Sequence, residues 1–204
     1  MTVDAPAGTD ADPETVLRAD PVMAEVIERR TPHPLDPDVD EFERLCVAII
    51  NQQLSTASAT AVRERVFDLL DGTVTPETVL AANGDALLEA GLSRTKVDYV
   101  RNAARAFQER DLTQEGLADH SDEEVIDELT RIKGVGAWTA RMYLIFVLQR
   151  PDVLPLGDLA VRRGIEQLYN DGEELTRAEM REIAEPWRPY RSTATRYIWA
   201  EYEA

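Results

Sequence analysis

Apolar residues recur every three or four positions through most of the chain, which is the period of an amphipathic helix. The pattern is clearest between residues 40 and 50, where one helical face collects Phe42, Leu45, Cys46, Ile49 and Ile50. The same period continues in residues 59–70 and 97–107. We find no segment with the alternation of period two that is typical of a half-buried strand. The sequence therefore predicts an all-α protein of about ten helices.

Residues that favour helix ends divide this pattern into separate helices. Pro21 splits the segment 13–30 into two short helices, and Ser55 or Thr56 is positioned to cap the helix that follows residue 54. Capping boxes, with a glutamate three residues after the cap, start helices at Ser121 and Thr176. Two predicted helices flank the letters GVG and form a hairpin over residues 123–149.

Length and composition limit the class of protein. We expect residues 1–12, which are mostly small and acidic and include one Pro and one Gly, to be disordered, and residues 13–204 to fold as one helical domain. No apolar run of membrane-spanning length and no signal peptide is present, so we expect an intracellular, cytoplasmic protein. One cysteine and two histidines argue against a disulfide, an iron-sulfur cluster and a zinc site.

The charge balance has two interpretations. The chain has 22 basic and 39 acidic residues, a net charge of -17, whereas domains that bind phosphate usually carry a basic face. A halophilic protein in a very salty cytoplasm is the second interpretation, because a Debye length of about 3 Å in about 1 M salt screens repulsion from a polyanion. Charge alone therefore does not exclude DNA as a partner.

Gly134 and Gly136 interrupt helical sequence at a cost of about 1 kcal/mol each inside a helix. In a hairpin their backbone amides lie at the start of the second helix, where free N–H groups and the helix dipole favour an anion. Such a turn can bind one DNA phosphate without reading sequence, and Lys133 lies beside it. The alternative is an ordinary helical corner.

Asp158 follows the irregular stretch 150–157 and begins the next helix. An aspartate at this place is usually an N-cap. An ionised carboxylate that faces a cleft can also stabilise an oxocarbenium-like sugar or orient a water. Trp138 and Trp199 belong to a group of aromatics near these features, which would form either core or a pocket for a flat, cationic ring.

Taken together, four blocks resemble a known family. LTRIKGVGAWTARMYLIFVLQRPDVLPLGDLAVRRG resembles the helix-hairpin-helix motif, Gly/Pro-rich loop and aspartate of base-excision DNA glycosylases. AIINQQLS, GLSRTKVDYVRNAARAF and WRPYRSTATRYIW are similar to the 3-methyladenine DNA glycosylase II branch. The resemblance implies an all-α, two-lobed helix-hairpin-helix fold with the active-site cleft between the lobes.

The resemblance also implies an activity, hydrolysis of the N-glycosidic bond of alkylated purines such as 3-methyladenine and 7-methylguanine in DNA. Asp158 would be catalytic, and the flipped base would lie among Trp138, Met142 and Trp199. Trp138 stands where some members have a nucleophilic lysine, which indicates a monofunctional enzyme with no lyase step. Met142 stands where some relatives have an aromatic, so the lesion preference is left open. Gly157 stands where some relatives have a second acidic residue, which leaves Asp158 as the sole local carboxylate candidate.

Further roles follow from the same resemblance. The loop Gln52, Gln53 and Leu54 would wedge into the duplex, and the DNA-binding hairpin would comprise Lys133, Gly134, Val135, Gly136 and Ala137. No cofactor is required, although family members often hold Na⁺ or K⁺ on hairpin carbonyls, here around Ile132 and Val135. The implied partners are double-stranded DNA with alkylated bases and a downstream abasic-site endonuclease, and we expect a monomer.

Three rival readings remain open at this point. One is a noncatalytic helix-hairpin-helix DNA-binding protein, although such proteins usually repeat the hairpin. Another is a glycosylase for an oxidised or mismatched base. The third is an acidic helical interaction protein, which would leave the QQLS block and the aromatic group without a role.

Overall fold

The structure is a computed structural model that describes residues 12–32, 34–35, 40–54 and 56–204. All regular structure within those ranges is helical, so the all-α class is confirmed. The helices, in chain order, are α1 (Pro13–Leu17), α2 (Pro21–Arg29), α3 (Glu41–Asn51), α4 (Thr56–Leu69), α5 (Pro76–Ala81), α6 (Gly84–Glu89), α7 (Arg94–Glu109), α8 (Asp122–Thr130), α9 (Ala137–Phe146), α10 (Leu159–Tyr169), α11 (Arg177–Ile183), a 3-10 turn (Glu185–Trp187) and α12 (Arg191–Tyr202). None of these helices is long and apolar enough to cross a membrane.

Most helix starts agree with the sequence signals. Both capping boxes form: Ser121 caps α8 and Thr176 caps α11, each with the glutamate three residues on reaching back to the cap. Pro21 begins α2 as the first residue after its cap, Asp20. Asp12 caps α1, while residues 1–11, predicted to be disordered, and the predicted cap Ser55 lie outside the described residues.

Two elements differ from the prediction. Helix α9 ends at Phe146 and not near Gln149, because Gln149 adopts a left-handed backbone with a φ of 50° that leaves the helical path. Helix α6 was not predicted. Its N-cap Asn83 accepts hydrogen bonds from the amides of Asp85 and Ala86, which starts a helix only six residues long.

The chain divides into two compact units. The first contains residues 1–34 and 151–204, and the second contains residues 35–150. In the first unit, α10 and α12 pack side by side around a buried core. This core comprises Leu17, Met23, Val26, Ile27, Leu156, Val161, Ile165, Met180, Ala184, Trp187, Ala194, Tyr197 and Ile198. Two aromatic side chains at this core, Tyr169 through Oη and Trp187 through Nε1, donate hydrogen bonds to the carboxylate of Asp20.

The second unit is built around α7. Helices α3 and α5 both pack on it, and α3 also packs on α4 and α9. Phe42 of α3 meets Phe107 of α7 edge to face, with ring centroids 5.3 Å apart. The five residues predicted to share the apolar face of α3 are all buried. Hydrophobic burial along α3 and α7 therefore fixes the position of the loop that follows α3.

Substitution of Gly164 tests the close packing of α10 against α12 in the first unit. A Cβ at Gly164 would lie 2.4 Å from Ile198 Cγ2 on α12. We expect Gly164→Ala to lower the free energy of unfolding by about 1–3 kcal/mol through overpacking, although alanine is the better helix former by about 1 kcal/mol. Urea unfolding measures this. Gly84→Ala, whose new Cβ would approach nothing closer than 3.5 Å, is the matched control; equal stability of the two variants would contradict the close contact.

Candidate active site

Asp158 is the N-cap of α10. Its Oδ1 accepts a hydrogen bond from the amide of Val161 at 3.0 Å and another from the indole Nε1 of Trp199 at 3.1 Å. The aspartate is half-buried, and so is the tryptophan. Capping by Asp158 was predicted, but its link to Trp199 was not. Since the two residues are 41 positions apart in the chain, no local spacing signals the contact.

The loop before Asp158 is fastened to the start of α12. Arg191 forms a two-pronged ion pair with Asp152, Nε to Oδ1 at 2.6 Å and Nη2 to Oδ2 at 2.9 Å. The buried Ser192 Oγ accepts from the amide of Val153 at 2.9 Å. Together with the Trp199 bond at the other end, these contacts fix both ends of the segment 152–158 on one helix.

This arrangement determines what the Asp158 carboxylate can do. It lies at the positive end of the α10 dipole and accepts N–H bonds from Val161 and Trp199, which hold it in place. A fixed carboxylate of this kind stabilises positive charge that develops nearby and can orient a water for attack. Its position is set before any substrate binds, so little reorganisation is needed.

Glycine occurs at the two hairpin positions, 134 and 136, for different structural reasons. Gly134 has a φ of 111°, and a Cβ there would lie 2.2 Å from Cγ of Tyr99 on α7. Gly136 has an ordinary extended backbone, and a Cβ there would meet nothing within 4 Å. Folding therefore requires glycine at position 134, whereas at position 136 only an external ligand would require it.

Gly136 is also the N-cap of α9, and among the residues that the structure describes no side-chain cap is found at this helix end. Gly136 and Ala137 are exposed. The first amides of a helix have no partner within the helix and favour an anion. The amide of Val135, a residue of the predicted hairpin, is already engaged, because it donates to Ile132 O at 2.9 Å. The amides at the start of α9 are thus the part of the hairpin best suited to a phosphate.

Hairpin carbonyls are held by side chains of the second unit. Asn102 Nδ2 donates to Lys133 O at 3.1 Å, and Gln52 Nε2 donates to Gly134 O at 3.1 Å. Ile132 O accepts from the amide of Val135. A carbonyl oxygen has two lone pairs, so these bonds are compatible with a monovalent cation on the backbone, as predicted for Ile132 and Val135. The described residues contain no group of His, Cys, Asp and Glu able to hold a metal.

The three residues of the predicted wedge have different surroundings. The Gln52 side chain is directed to the hairpin, where Nε2 also donates to Thr139 Oγ1 at 3.1 Å. Gln53 is exposed and has a left-handed φ of 57°, while Leu54 is 39% exposed. In this structure, therefore, Gln52 holds the loop and Gln53 and Leu54 project from it.

Two of the predicted pocket residues line one cavity of about 160 Å³ in the second unit. Trp138 and Met142 of α9 form part of its wall, and Arg44 and Arg63 add positive charge. An apolar cavity of about 150 Å³ accommodates a benzene ring, so the space suits one aromatic ring. No carboxylate is among its described lining residues. The third predicted pocket residue, Trp199, belongs to the first unit and bonds Asp158.

The two glycines lead to opposite stability predictions. We expect Gly134→Ala to lower the free energy of unfolding by about 2 kcal/mol or more, because of its positive φ and the contact with Tyr99. Gly136→Ala should stay within about 0.5 kcal/mol of the parent protein. Thermal and urea unfolding of both variants measure this difference. Similar losses for both would show that the hairpin needs glycine at position 136 for folding.

Comparison with known proteins agrees with this geometry. Residues 46–189 match the family model of the HhH-GPD superfamily base excision DNA repair proteins. DNA-3-methyladenine glycosylase 1 of Schizosaccharomyces pombe is 32% identical over 163 residues, covering 78% of this chain and 72% of the relative. DNA-3-methyladenine glycosylase of Saccharomyces cerevisiae is 32% identical over 188 residues, covering 83% of this chain and 62% of the relative.

Solved structures give the same result. A 3-methyladenine DNA glycosylase of S. pombe in complex with abasic DNA superposes with a TM-score of 0.84 at 29% identity, over 95% of this chain and 98% of that one. A DNA-3-methyladenine glycosidase of Bacillus halodurans gives a TM-score of 0.80 at 33% identity, over 95% and 90%. The predicted glycosylase fold is confirmed, and the chain belongs to the HhH-GPD superfamily of base excision DNA repair proteins.

Proposed function

We infer that the protein is a monofunctional DNA glycosylase that hydrolyses the N-glycosidic bond of alkylated purines in DNA and leaves an abasic site for base excision repair. The observation that carries this function is the fixed carboxylate of Asp158, bound by Val161 N and Trp199 Nε1 at the start of α10. Relatives named 3-methyladenine DNA glycosylases give the substrate class. A noncatalytic DNA-binding protein would use this residue only as an N-cap, a role that does not need the negative charge.

The reaction begins with a flipped nucleotide. Extruding a damaged base costs a few kcal/mol, and less when damage has weakened its pairing. Gln53 and Leu54 are the projecting side chains suited to fill the gap in the stack, and the amides at the start of α9 are suited to hold a backbone phosphate. Neither contact reads sequence, as expected for an enzyme whose target is a lesion.

Bond cleavage then depends on charge. Alkylation at N3 or N7 makes the purine cationic, so the base departs as a neutral molecule and needs little help from a general acid. Positive charge develops on the deoxyribose as the bond lengthens, and the Asp158 carboxylate would stabilise that charge and direct water to C1′. Trp138 occupies the place of the lysine nucleophile of bifunctional relatives, so the mechanism uses water and has no lyase step.

The cavity beside Trp138 bears on base preference. Its tryptophan face attracts a cationic ring, whereas the guanidinium groups of Arg44 and Arg63 oppose one. Arg44 already stacks on Phe146, with its guanidinium carbon 4.7 Å from the ring centroid. These charges favour the neutral departing base over the cationic base still attached to the sugar. A panel of neutral and cationic lesions would show how the two effects balance.

We further propose that the enzyme acts as a cytoplasmic monomer on double-stranded DNA and passes its product to an abasic-site endonuclease. A Na⁺ or K⁺ ion on the backbone carbonyls around Ile132 and Val135 would support the hairpin structurally, with no part in the chemistry. The net charge of -17 supports activity in high salt, although salt also weakens contacts driven by phosphate. Assays in graded potassium chloride would show the salt optimum.

Asp158→Asn tests the catalytic role. Asparagine caps a helix about as well as aspartate, and its Oδ1 can still accept from Val161 N and Trp199 Nε1, so the fold should persist. We expect release of 3-methyladenine and 7-methylguanine from an alkylated duplex to fall by about 100-fold or more. Quantifying free base and alkali-labile abasic sites under single-turnover conditions measures the loss.

Asp20→Asn is the matched control, since Asp20 is also an N-cap aspartate of the first unit that accepts from a tryptophan indole. It should keep base release within about threefold of wild type when folded, because its carboxylate has no part in the reaction. Equal base release by Asp158→Asn and wild type would disprove the role given to Asp158. No base release by wild type from any alkylated duplex would favour the noncatalytic alternative.

Gly136→Glu tests the phosphate contact. A carboxylate at this exposed helix start would repel a phosphate without a steric clash, so we expect DNA affinity to fall by about tenfold or more while the melting temperature is kept. Gel-shift titration measures the affinity. Gln167→Glu adds the same charge at an exposed position of α10 and should change affinity little. Unchanged affinity in the Gly136 variant would refute the contact.

A further inference from the structure

We propose that Lys96 is a positioning residue for base extrusion: it holds residues 52–54, the wedge loop, in place on α7. This inference rests on the proposed glycosylase function. The Lys96 ammonium donates to Ile50 O and to Gln52 O, both at 2.7 Å. These carbonyls lie at the end of α3, where the chain leaves the helix and enters the loop.

The chemistry of this contact suits a residue that holds the wedge loop in place. The last carbonyls of a helix have no partner within it, and the helix dipole favours a cation there. Lys96 is half-buried, and burial lowers the pKa of its ammonium group by desolvation. Because the ammonium donates to two backbone carbonyls, its charge is directed at the protein backbone. It is one of only two lysines in a chain with a net charge of -17.

A second side chain fixes the same loop from the other direction. Gln52 Nε2 donates to Gly134 O and to Thr139 Oγ1, both at 3.1 Å. Gln53, the next residue, has a left-handed φ of 57°. Such a conformation persists where the surroundings determine it. Lys96 on one side and the hairpin on the other supply that restraint to the wedge loop.

One face of α7 links the wedge loop to the hairpin. Lys96, Tyr99 and Asn102 are three residues apart and so lie along one side of the helix. Lys96 binds the end of α3, Tyr99 packs against Gly134, and Asn102 donates to Lys133 O. A rigid helix thereby sets the spacing between the residues suited to enter the duplex and those suited to hold its phosphate. DNA must meet both at once, so a loosened loop would lower the extrusion rate.

Lys96→Met tests the proposal, because it keeps most of the alkyl stem and removes the charge and the donors. We expect the single-turnover rate of base release at saturating enzyme to fall by about 10- to 100-fold. The fluorescence rise of 2-aminopurine placed next to the lesion should slow in parallel, since the defect lies in extrusion. The salt slope of DNA binding should not change, whereas each lost phosphate contact lowers it by about 0.9.

Arg101→Met is the matched control. Arg101 also lies on α7, and it also donates to the carbonyl at a helix end, that of Ala82 after α5, at 2.8 Å. Loss of this contact should affect stability comparably but leave the extrusion rate within about threefold of wild type. Gln52→Met, which removes the bonds to the hairpin, should reproduce the Lys96→Met defect, and it keeps the test informative if Lys96→Met does not fold.

The outcomes separate this inference from the proposed function. Base release by wild type with an unchanged 2-aminopurine rate in folded Lys96→Met overturns the positioning role and leaves the glycosylase function standing. A reduced salt slope would instead identify Lys96 as a phosphate contact and overturn the proposal. Equal slowing in Lys96→Met and Arg101→Met would reduce Lys96 to a general stabilising residue, and the proposal would be wrong.

Discussion

The position of the Asp158 carboxylate depends on the packing of α12 against α10. Trp199 of α12 bonds the carboxylate itself, while Arg191 and Ser192 hold the start of the preceding loop. These groups span two turns of α12, so their spacing is fixed by helical geometry. The close approach of Gly164 to Ile198 sets how near α10 and α12 lie. An apparently local feature, an N-cap aspartate, is thus set by packing between two helices.

In the second unit, α7 is the rigid helix that positions the binding elements, as α12 positions Asp158 in the first unit. Its apolar face joins the core through Val97 and Val100, and its polar face holds the end of α3 and the hairpin. Binding elements supported in this way lose little conformational freedom when DNA arrives. That matters for a strongly acidic protein, because long-range electrostatic attraction contributes little and short-range geometry must contribute more.

Local sequence was enough to predict the helical class, most helix starts and the buried faces, because caps and a 3.6-residue period act over a few positions. The hairpin and Asp158 followed from motifs of the same short range. The Gln52 bond to Gly134 and the Lys96 bond to Ile50 connect residues 82 and 46 positions apart. No periodic pattern encodes such contacts, so the separate role of Gln52 within the QQL block could not be predicted.

Local sequence patterns also gave two wrong predictions about helices: one helix is shorter than predicted, and one was not predicted. The apolar sequence after Phe146 continues as if α9 extended to Gln149, yet the chain turns away because Gln149 takes a left-handed backbone. Helix α6 has only six residues and too few apolar positions to establish a period. In the first case the left-handed backbone of Gln149 leaves the helical path, and in the second the Asn83 cap starts a helix that no apolar period indicates.

The N-cap role of Asp158 has an evolutionary consequence. Its Oδ1 serves the fold by accepting two N–H bonds, and an uncharged asparagine oxygen can accept the same bonds. These two bonds therefore do not require the negative charge, whereas selection on activity would retain it. A lineage released from that selection could lose the charge by one substitution and keep a stable protein that still binds DNA. Active and silent members of such a lineage would share one fold and differ at position 158 by an amide NH2 group in place of one carboxylate oxygen.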